Sequence, residues 1–262
     1  MFVISISQGK GGVGKTTTAI SLGAALIECG KRVLIVDLDP QEHVQISFNS
    51  SNGHETKFGM DDVLLDNIPI SKAIRKSNIN GLFFITSGKR IIIAEQYLPI
   101  HKNYYTILKQ NLSDISVFFD FVIIDCPPLL GALTMNAIVT ADMVIIPTLP
   151  DAYSLVAVGR TIKWITQIQR KFNPGMQYRV LVTMYNKGIT AHSLIYEKLT
   201  NILSGQMFHT VISTNTKLRE SQIAGVPIIN YAPNAVSAEQ YRMVAKEVLD
   251  HVQSESKLRE AY

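Results

Sequence analysis

The fold is decided by the stretch Gly9-Lys10-Gly11-Gly12-Val13-Gly14-Lys15-Thr16, which matches the Walker A pattern Gly-x-x-x-x-Gly-Lys-Thr. A β-rich run, 2–7, leads into it, and residues 16–29 carry apolar side chains at helical spacing. A glycine-rich turn that matches by chance would not need a strand before it and a helix after it. The sequence therefore predicts a phosphate loop that binds ATP with Mg²⁺.

Each part of this loop has an expected task. Its glycines allow backbone N–H groups to turn toward phosphate oxygens, and the following helix adds the positive end of its dipole. We expect Lys15 to reach the β- and γ-phosphates, the Thr16 hydroxyl to ligate Mg²⁺, and Thr17 to donate to the α-phosphate. The predicted cradle comprises Lys10, Gly11, Gly12, Val13, Gly14, Lys15, Thr16 and Thr17.

Acidic residues follow two other apolar runs. Asp125 ends the run 121–124 and fits a Walker B carboxylate that holds Mg²⁺ through water. Asp37 and Asp39 follow the run 33–36, and alternation along a strand places them on one face. One of these two is expected to orient the attacking water, with a polar turn closed by Pro40 as the alternative interpretation.

The rest of the chain alternates between strand and helix patterns. Such alternation predicts an α/β fold, a single doubly wound, mostly parallel twisted sheet flanked by helices. We expect one domain over 1–253, a flexible tail over 254–262, and a mobile polar loop over 49–59. Further strands are predicted at 82–85, 143–146, 180–184 and, more briefly, 211–212, and helices at 97–111, 152–172, 189–203 and 238–253.

The composition of the 262 residues is that of a globular protein, with 47% hydrophobic and 18% charged residues. No apolar run is long enough to span a bilayer, and the first residues lack the basic region of a secretory signal. Cys29 and Cys126 have neither metal nor redox spacing. We therefore expect a cytoplasmic protein.

Charge is unevenly distributed along the chain. Residues 1–150 hold 12 Lys and Arg against 13 Asp and Glu, whereas residues 151–262 hold 13 against 8. A basic C-terminal half suits a polyanion such as DNA, although an ordinary solvated surface would also explain it.

Several segments together resemble the ParA/MinD ATPases. The loop contains the extra "signature" lysine, Lys10, of their deviant Walker A motif, and 36–41 resembles the ParA Walker A′ segment. The similarity continues through Asp125-Cys126-Pro127-Pro128 and 141–147 to 225–228 and 239–241, and so covers nearly the whole chain.

This resemblance implies a weak, partner-stimulated ATPase that forms a nucleotide-sandwich homodimer. Lys10 would then reach across to the partner's phosphates and act in catalysis together with Lys15. Asp39 matches the family aspartate that positions the hydrolytic water, and it is also a candidate to hold Mg²⁺ through a water molecule. Asp125 matches the family's Walker B aspartate.

The resemblance also assigns the base and DNA contacts. Ser213 and Asn215 occupy the family segment that holds adenine, where the family usually has proline instead of Ser213, and Asn186 is another adenine-side candidate. The candidate phosphate contacts for non-specific DNA are Lys187, Lys217 and Arg219.

These features imply a nucleoid-associated switch that segregates plasmid or chromosome DNA with a ParB-like partner. Relatives that position chemotaxis arrays or carboxysomes share the same steps, so another cargo is the alternative. A MinD-like membrane role is less favoured because the tail 254–262 is short and polar, and a stable membrane anchor is not expected. A nitrogenase-iron-protein-like reductase is disfavoured because neither cysteine stands at a cluster-ligand position.

Overall fold

The structure is a computed structural model that describes residues 1–48 and 57–260, with side chains as far as Ser256. Most of the predicted mobile loop, residues 49–56, lies outside the described residues. So do the final two residues of the predicted tail.

A seven-stranded sheet runs through the described part of the chain. Its strand order is β3-β4-β2-β5-β1-β6-β7, and every neighbouring pair is parallel except β3 and β4. The predicted doubly wound, mostly parallel sheet is therefore confirmed. The strands are β1 (Phe2–Ile6), β2 (Val33–Asp37), β3 (Arg75–Lys76), β4 (Leu82–Ile85), β5 (Phe121–Asp125), β6 (Met143–Thr148) and β7 (Gln177–Val182).

Helices cover both faces of this sheet. None of those in the described residues is long and apolar enough to cross a membrane. They are α1 (Lys15–Glu28), α2 (His43–Ile46), α3 (Met60–Asp66), α4 (Ile91–Tyr97), α5 (Ile107–Ser113), α6 (Ala132–Thr140), α7 (Ala152–Phe172), α8 (Thr190–Ile202), α9 (Thr216–Ala224), α10 (Ile228–Tyr231) and α11 (Val236–Glu260).

Successive side chains of the strands pack into two hydrophobic clusters on opposite faces of the sheet. In β1, Ile4 and Ile6 pack with α1 and α11 on one face, whereas Val3 faces the layer of α3 to α6 on the other. A third cluster lies where α7 and α8 cover β6 and β7. Burial on both faces explains why the strands have continuous apolar sequences.

The strand register brings the functional segments to one edge of the sheet. Asp125 at the end of β5 is in register with Ile6 of β1 on one side and with Asp37 of β2 on the other. Because the strands are parallel, the phosphate loop and both acidic segments leave the sheet at the same edge, where open α/β folds bind ligands.

Several predicted elements are wrong or shifted. The helix predicted at 97–111 is not continuous: α4 ends at Tyr97, two short 3-10 turns follow, and α-helix resumes only at Ile107 in α5. Pro99 lacks an N–H, and Asn103 has a positive φ of 63°. The strand predicted at 211–212 is absent: neither residue belongs to a strand, and the adjacent Ser213 forms only an isolated bridge with Tyr185. The last helix continues beyond the predicted end at 253, to Glu260; the flexibility of the tail stays a prediction.

Candidate active site

The loop between β1 and α1 has the backbone of a phosphate cradle. Gly12 and Gly14 have left-handed φ angles of 72° and 88°, which favour glycine at both positions. Helix α1 begins at Lys15, and Gly14 before it has no side chain to cap the first turn. The N–H groups of that turn remain available to an anion, at the positive end of the helix dipole.

A cavity of about 540 Å³ opens beside this loop. Its wall combines the phosphate loop, the segment after β2, the start of α10 and single residues of other segments, so distant parts of the sequence meet there. Residues of the wall include Gly11, Gly12, Gly14, Lys15, Thr16, Thr17, Asp39, Gln41, Pro128, Met184, Gln222, Val226 and Pro227.

Asp125 is a fully buried carboxyl group of the site. Its side chain is inaccessible to solvent, and neither carboxylate oxygen accepts a hydrogen bond from the described residues. Burial raises the pKa of Asp125 to about 7, although Thr16 and the Lys15 ammonium oppose the rise. Buried carboxylate oxygens that lack a donor among the described residues need a partner such as a bound ion or a water molecule.

These residues fit a magnesium ion bound with the nucleotide. Mg²⁺ prefers oxygen ligands and keeps several waters. The Thr16 hydroxyl would bind it directly, and Asp125 would hold it through water, which would also satisfy the unpartnered oxygens. When bound, the ion supplies positive charge for the phosphates and their leaving oxygen.

The two aspartates after β2 have different environments. Asp37 is fully buried and accepts hydrogen bonds from the N–H groups of Asp39 (2.8 Å) and Val44 (3.3 Å). Burial, and next the nearby Asp125, raise the pKa of Asp37 well above its ordinary value. Asp39 lines the cavity and accepts from the N–H of Gln41 at 3.0 Å. Asp37 thus shapes the turn, and Asp39 is the one that lines the cavity beside the phosphate loop; its catalytic role stays a prediction.

Lys10 lies outside the wall of its own cavity. Its ammonium is 3.0 Å from Oδ2 of Asp151 and donates to the Ser154 hydroxyl at 2.8 Å. Asp151 also caps α7 by accepting from the Ser154 N–H. Burial tends to raise the pKa of Asp151, but the hydrogen bonds from the Ser154 N–H and from Lys10 outweigh it and lower that pKa. Lys10 is therefore held against α7, while Lys15 lines the cavity.

The predicted adenine-side residues are only partly brought together. Ser213 and Asn215 line a smaller cavity of about 90 Å³ that adjoins the phosphate loop at Gly14. The Asn215 side chain caps α9, and the hydroxyl of Ser213 accepts from Gln240. Asn186 is exposed, and its side chain closes a turn by accepting from the Gly188 N–H. All three assignments to adenine stay predictions.

Gln222 is a site residue that sequence reasoning missed. Its amide donates to the Thr17 hydroxyl at 2.6 Å, and it lines both cavities. A glutamine in a polar nine-residue helix carries no pattern of its own. The nearby segment Gly225-Val226-Pro227-Ile228, quoted for the resemblance, was the available signal, since part of it also lines the larger cavity.

The candidate DNA contacts lie on the exposed surface. Lys187 follows β7, and Lys217 and Arg219 lie in the first turn of α9. The Lys217 ammonium is 2.8 Å from the Glu220 carboxylate, which raises its pKa. Arg219 also lines the smaller cavity. Their role in DNA binding stays a prediction.

Comparisons with known proteins identify the family. The family model described as an AAA domain matches residues 1–178. The sporulation initiation inhibitor protein Soj of Bacillus subtilis is 33% identical over 247 residues, which are 94% of this chain and 97% of that protein. The chain belongs to the ParA/MinD family. Another relative in this family, the chromosome partitioning protein ParA of Caulobacter vibrioides, is 30% identical over 250 residues, 94% of this chain and 93% of that protein.

Solved structures extend the comparison to the nucleotide site. Cobyrinic acid a,c-diamide synthase from Mycobacterium smegmatis, with bound ATP analog and magnesium, gives a TM-score of 0.83 at 29% identity and covers 97% of both chains. An ATP complex of McdA from Cyanothece gives 0.83 at 22% identity, over 95% of this chain and 96% of that one, and shows the shared fold alone. This ParA/MinD-family member is an ATPase that uses ATP and Mg²⁺.

Proposed function

We propose that this ATPase is a nucleotide-driven dimerisation switch that binds DNA without sequence preference. In this role it segregates plasmid or chromosome DNA on the nucleoid together with a ParB-like adaptor protein. The names of its relatives Soj and ParA, a chromosome partitioning protein in the latter case, support this class of function.

The position of Lys10 carries the proposal. Its ammonium is held at the rim of the loop by Asp151 and Ser154, not inside the cavity of its own subunit. About a third of each charged side chain is exposed, 31% for Lys10 and 37% for Asp151. Such an ion pair contributes about 1 kcal/mol or less, so a second subunit's phosphates compete for Lys10 readily.

A lysine that crosses to the other subunit would link dimerisation to hydrolysis. Its charge would stabilise the negative charge that develops on the partner's phosphates. Asp39, at the wall of the cavity, would orient the water that attacks them.

Sedimentation with a non-hydrolysable ATP analogue tests the switch. The native chain should sediment as a dimer with the analogue and as a monomer without it. Lys10→Ala should still bind the analogue but lose the dimer or its hydrolysis, whereas Lys15→Ala should lose nucleotide binding itself. A Lys10→Ala protein with native dimerisation and native turnover would overturn the proposal.

The DNA and adaptor steps need separate measurements. We expect the analogue-bound dimer to retain a random-sequence duplex, and the adaptor to raise ATP turnover. Asp39→Ala should accumulate as a DNA-bound dimer because it binds ATP without hydrolysing it. Pelleting with anionic liposomes in place of DNA would instead favour the MinD-like alternative. Stimulation of ATP turnover by an adaptor of a chemotaxis array or carboxysome would favour that cargo in place of DNA.

A further inference from the structure

The loop between β5 and α6, residues 126–131, forms one wall of the phosphate site. It starts directly after Asp125, and its Pro128 lines the large cavity. Leu130 packs against the phosphate loop, with its Cγ 3.6 Å from the point where a Cβ on Gly9 would lie. The position of this loop therefore bears on the large cavity and on the phosphate loop.

A residue of another helix fixes the end of this loop. Glu95 of α4 accepts a hydrogen bond from the N–H of Ala132 at 2.7 Å, and one from the N–H of Leu133 at 2.9 Å. These N–H groups belong to the first turn of α6, whose preceding residue, Gly131, has no side chain to cap them. A carboxylate at this end of a helix is favoured by the free N–H groups and by the helix dipole.

Gly131 leaves room for this contact. Its φ of −120° and ψ of −153° are extended angles that any residue adopts, so the backbone itself does not require glycine. A Cβ at this position would overlap Oε1 of Glu95. The glycine is thus explained by the carboxylate that occupies the space beside it.

We propose that Glu95 is a positioning residue for ATP hydrolysis. By holding the first turn of α6, it keeps loop 126–131 against the phosphate loop and so fixes the wall beside the reacting phosphates. Glu95 itself does not touch the nucleotide site. None of the residues that line the smaller cavity, where adenine is predicted to bind, belongs to loop 126–131 or to α6.

Steady-state kinetics of Glu95 variants give the first test. Glu95→Ala should lower kcat about tenfold, since small misplacements of a site wall are costly, while KM for ATP should change about twofold or less. Glu95→Gln keeps one acceptor oxygen, so its kcat should lie between that of the native chain and that of Glu95→Ala. Gln96→Ala, on the exposed side of the same helix, is the matched control and should behave as the native chain.

Gly131→Ala separates positioning from mere stabilisation. In the native background its Cβ should displace the carboxylate and lower kcat about as far as Glu95→Ala does. In the Glu95→Ala background the same change should have little further effect, because the space is then empty. Melting temperatures recorded in parallel ensure that every assay is run on folded protein.

Two outcomes would overturn the proposal. One is a lower melting temperature for Glu95→Ala with kcat unchanged, which would make the contact purely structural. The other is an equal loss of kcat from Gly131→Ala in both backgrounds. If Glu95→Ala does not fold, Glu95→Gln and Gly131→Ala carry the same comparison, with Gly131→Ala in the Glu95→Gln background.

Discussion

Asp125 lies fully buried at the end of β5, and its carboxylate receives no hydrogen bond from the described residues. An aspartate in an unfolded chain has a pKa of about 3.9, whereas burial raises the pKa of Asp125 to about 7. Between these values the folded state holds more protons than the unfolded state. Its stability therefore falls as the pH rises through this interval, and the loss is complete above the folded pKa.

Replacing Asp125 by Asn should stabilise the nucleotide-free protein. At about pH 8 the free energy of unfolding should rise by on the order of 2 kcal/mol, because the buried charge is gone. Near pH 5 the gain should be much smaller, and ATP hydrolysis should be lost at both values. Urea unfolding at the two pH values measures this.

The exposed Asp114 provides the control for this experiment. Asp114→Asn changes a surface side chain and should alter the free energy of unfolding by about 0.5 kcal/mol or less. A destabilised Asp125→Asn protein at about pH 8 would show that the carboxylate supports the fold instead of opposing it.

Asp151→Asn should ease the release of Lys10. Asn caps a helix as well as Asp does, so α7 keeps its start, but the ion pair with Lys10 is lost. We expect half-maximal dimerisation at a roughly threefold lower concentration of the ATP analogue. The effect is small because a partly exposed ion pair contributes about 1 kcal/mol or less. Analytical ultracentrifugation measures this, and weaker dimerisation would contradict it.

At the scale of single residues, sequence motifs predicted the phosphate loop and Asp125 but not their partners. Lys15 and Asp125 each stand at a fixed offset from a strand, so local spacing identifies them. Asp151 is 141 residues away from Lys10, and Glu95 is 37 residues from the helix it caps. Contacts of this kind depend on how helices pack, and they leave no periodic trace in the sequence.

At the scale of elements, α11 packs along α1, the helix that follows the phosphate loop. Tyr241 of α11 is fully buried, and its hydroxyl lies 3.4 Å from the Thr18 hydroxyl. Burial raises the pKa of Tyr241 to about 12, so it stays neutral in ordinary buffers. We therefore expect the packing of these two helices to depend mainly on the buried ring and only weakly on the long hydroxyl contact.

Two Tyr241 variants separate these contributions. Tyr241→Ala should lower the free energy of unfolding by about 3–5 kcal/mol, since it leaves a large cavity under α1. Tyr241→Phe keeps the ring and should cost about 1 kcal/mol or less. Urea denaturation gives both values; a similar loss in the two variants would show that the hydroxyl dominates.

Helix prediction succeeded where local signals are strong. The predicted helix 152–172 coincides with α7, which has Asp151 as its N-cap and Arg170 and Lys171 in its last turn. The region of α4 and α5 was predicted wrongly because its apolar residues continue across Pro99. The short polar α9 gave no periodic signal and was missed.

At the scale of the whole molecule, the three candidate DNA contacts all lie in the basic C-terminal half of the chain. Lys187 follows the edge strand β7, while the opposite edge is formed by β3. We expect Lys217→Glu to weaken binding of a random duplex by the analogue-bound protein about tenfold at moderate salt, because it opposes the phosphates. Fluorescence anisotropy across a salt series measures this.

Lys72→Glu makes the same change of charge beside β3 and serves as the control. It should leave DNA affinity near the native value. Glu220→Gln frees the Lys217 ammonium from its partner and should strengthen binding. Equal effects of Lys217→Glu and Lys72→Glu would mean that net charge alone governs DNA affinity.

The buried carboxylate of Asp125 has a further consequence for calorimetry. Only its ionised form suits a magnesium ion, and near pH 7 a large share of the molecules must lose a proton when Mg²⁺ and ATP bind. The buffer takes up that proton, so the heat of binding should differ between phosphate and Tris buffers by the number of protons released multiplied by the difference in the buffers' ionisation enthalpies. The difference should disappear well above the folded pKa and in Asp125→Asn, which makes titration heat a direct count of the protons that the metal displaces.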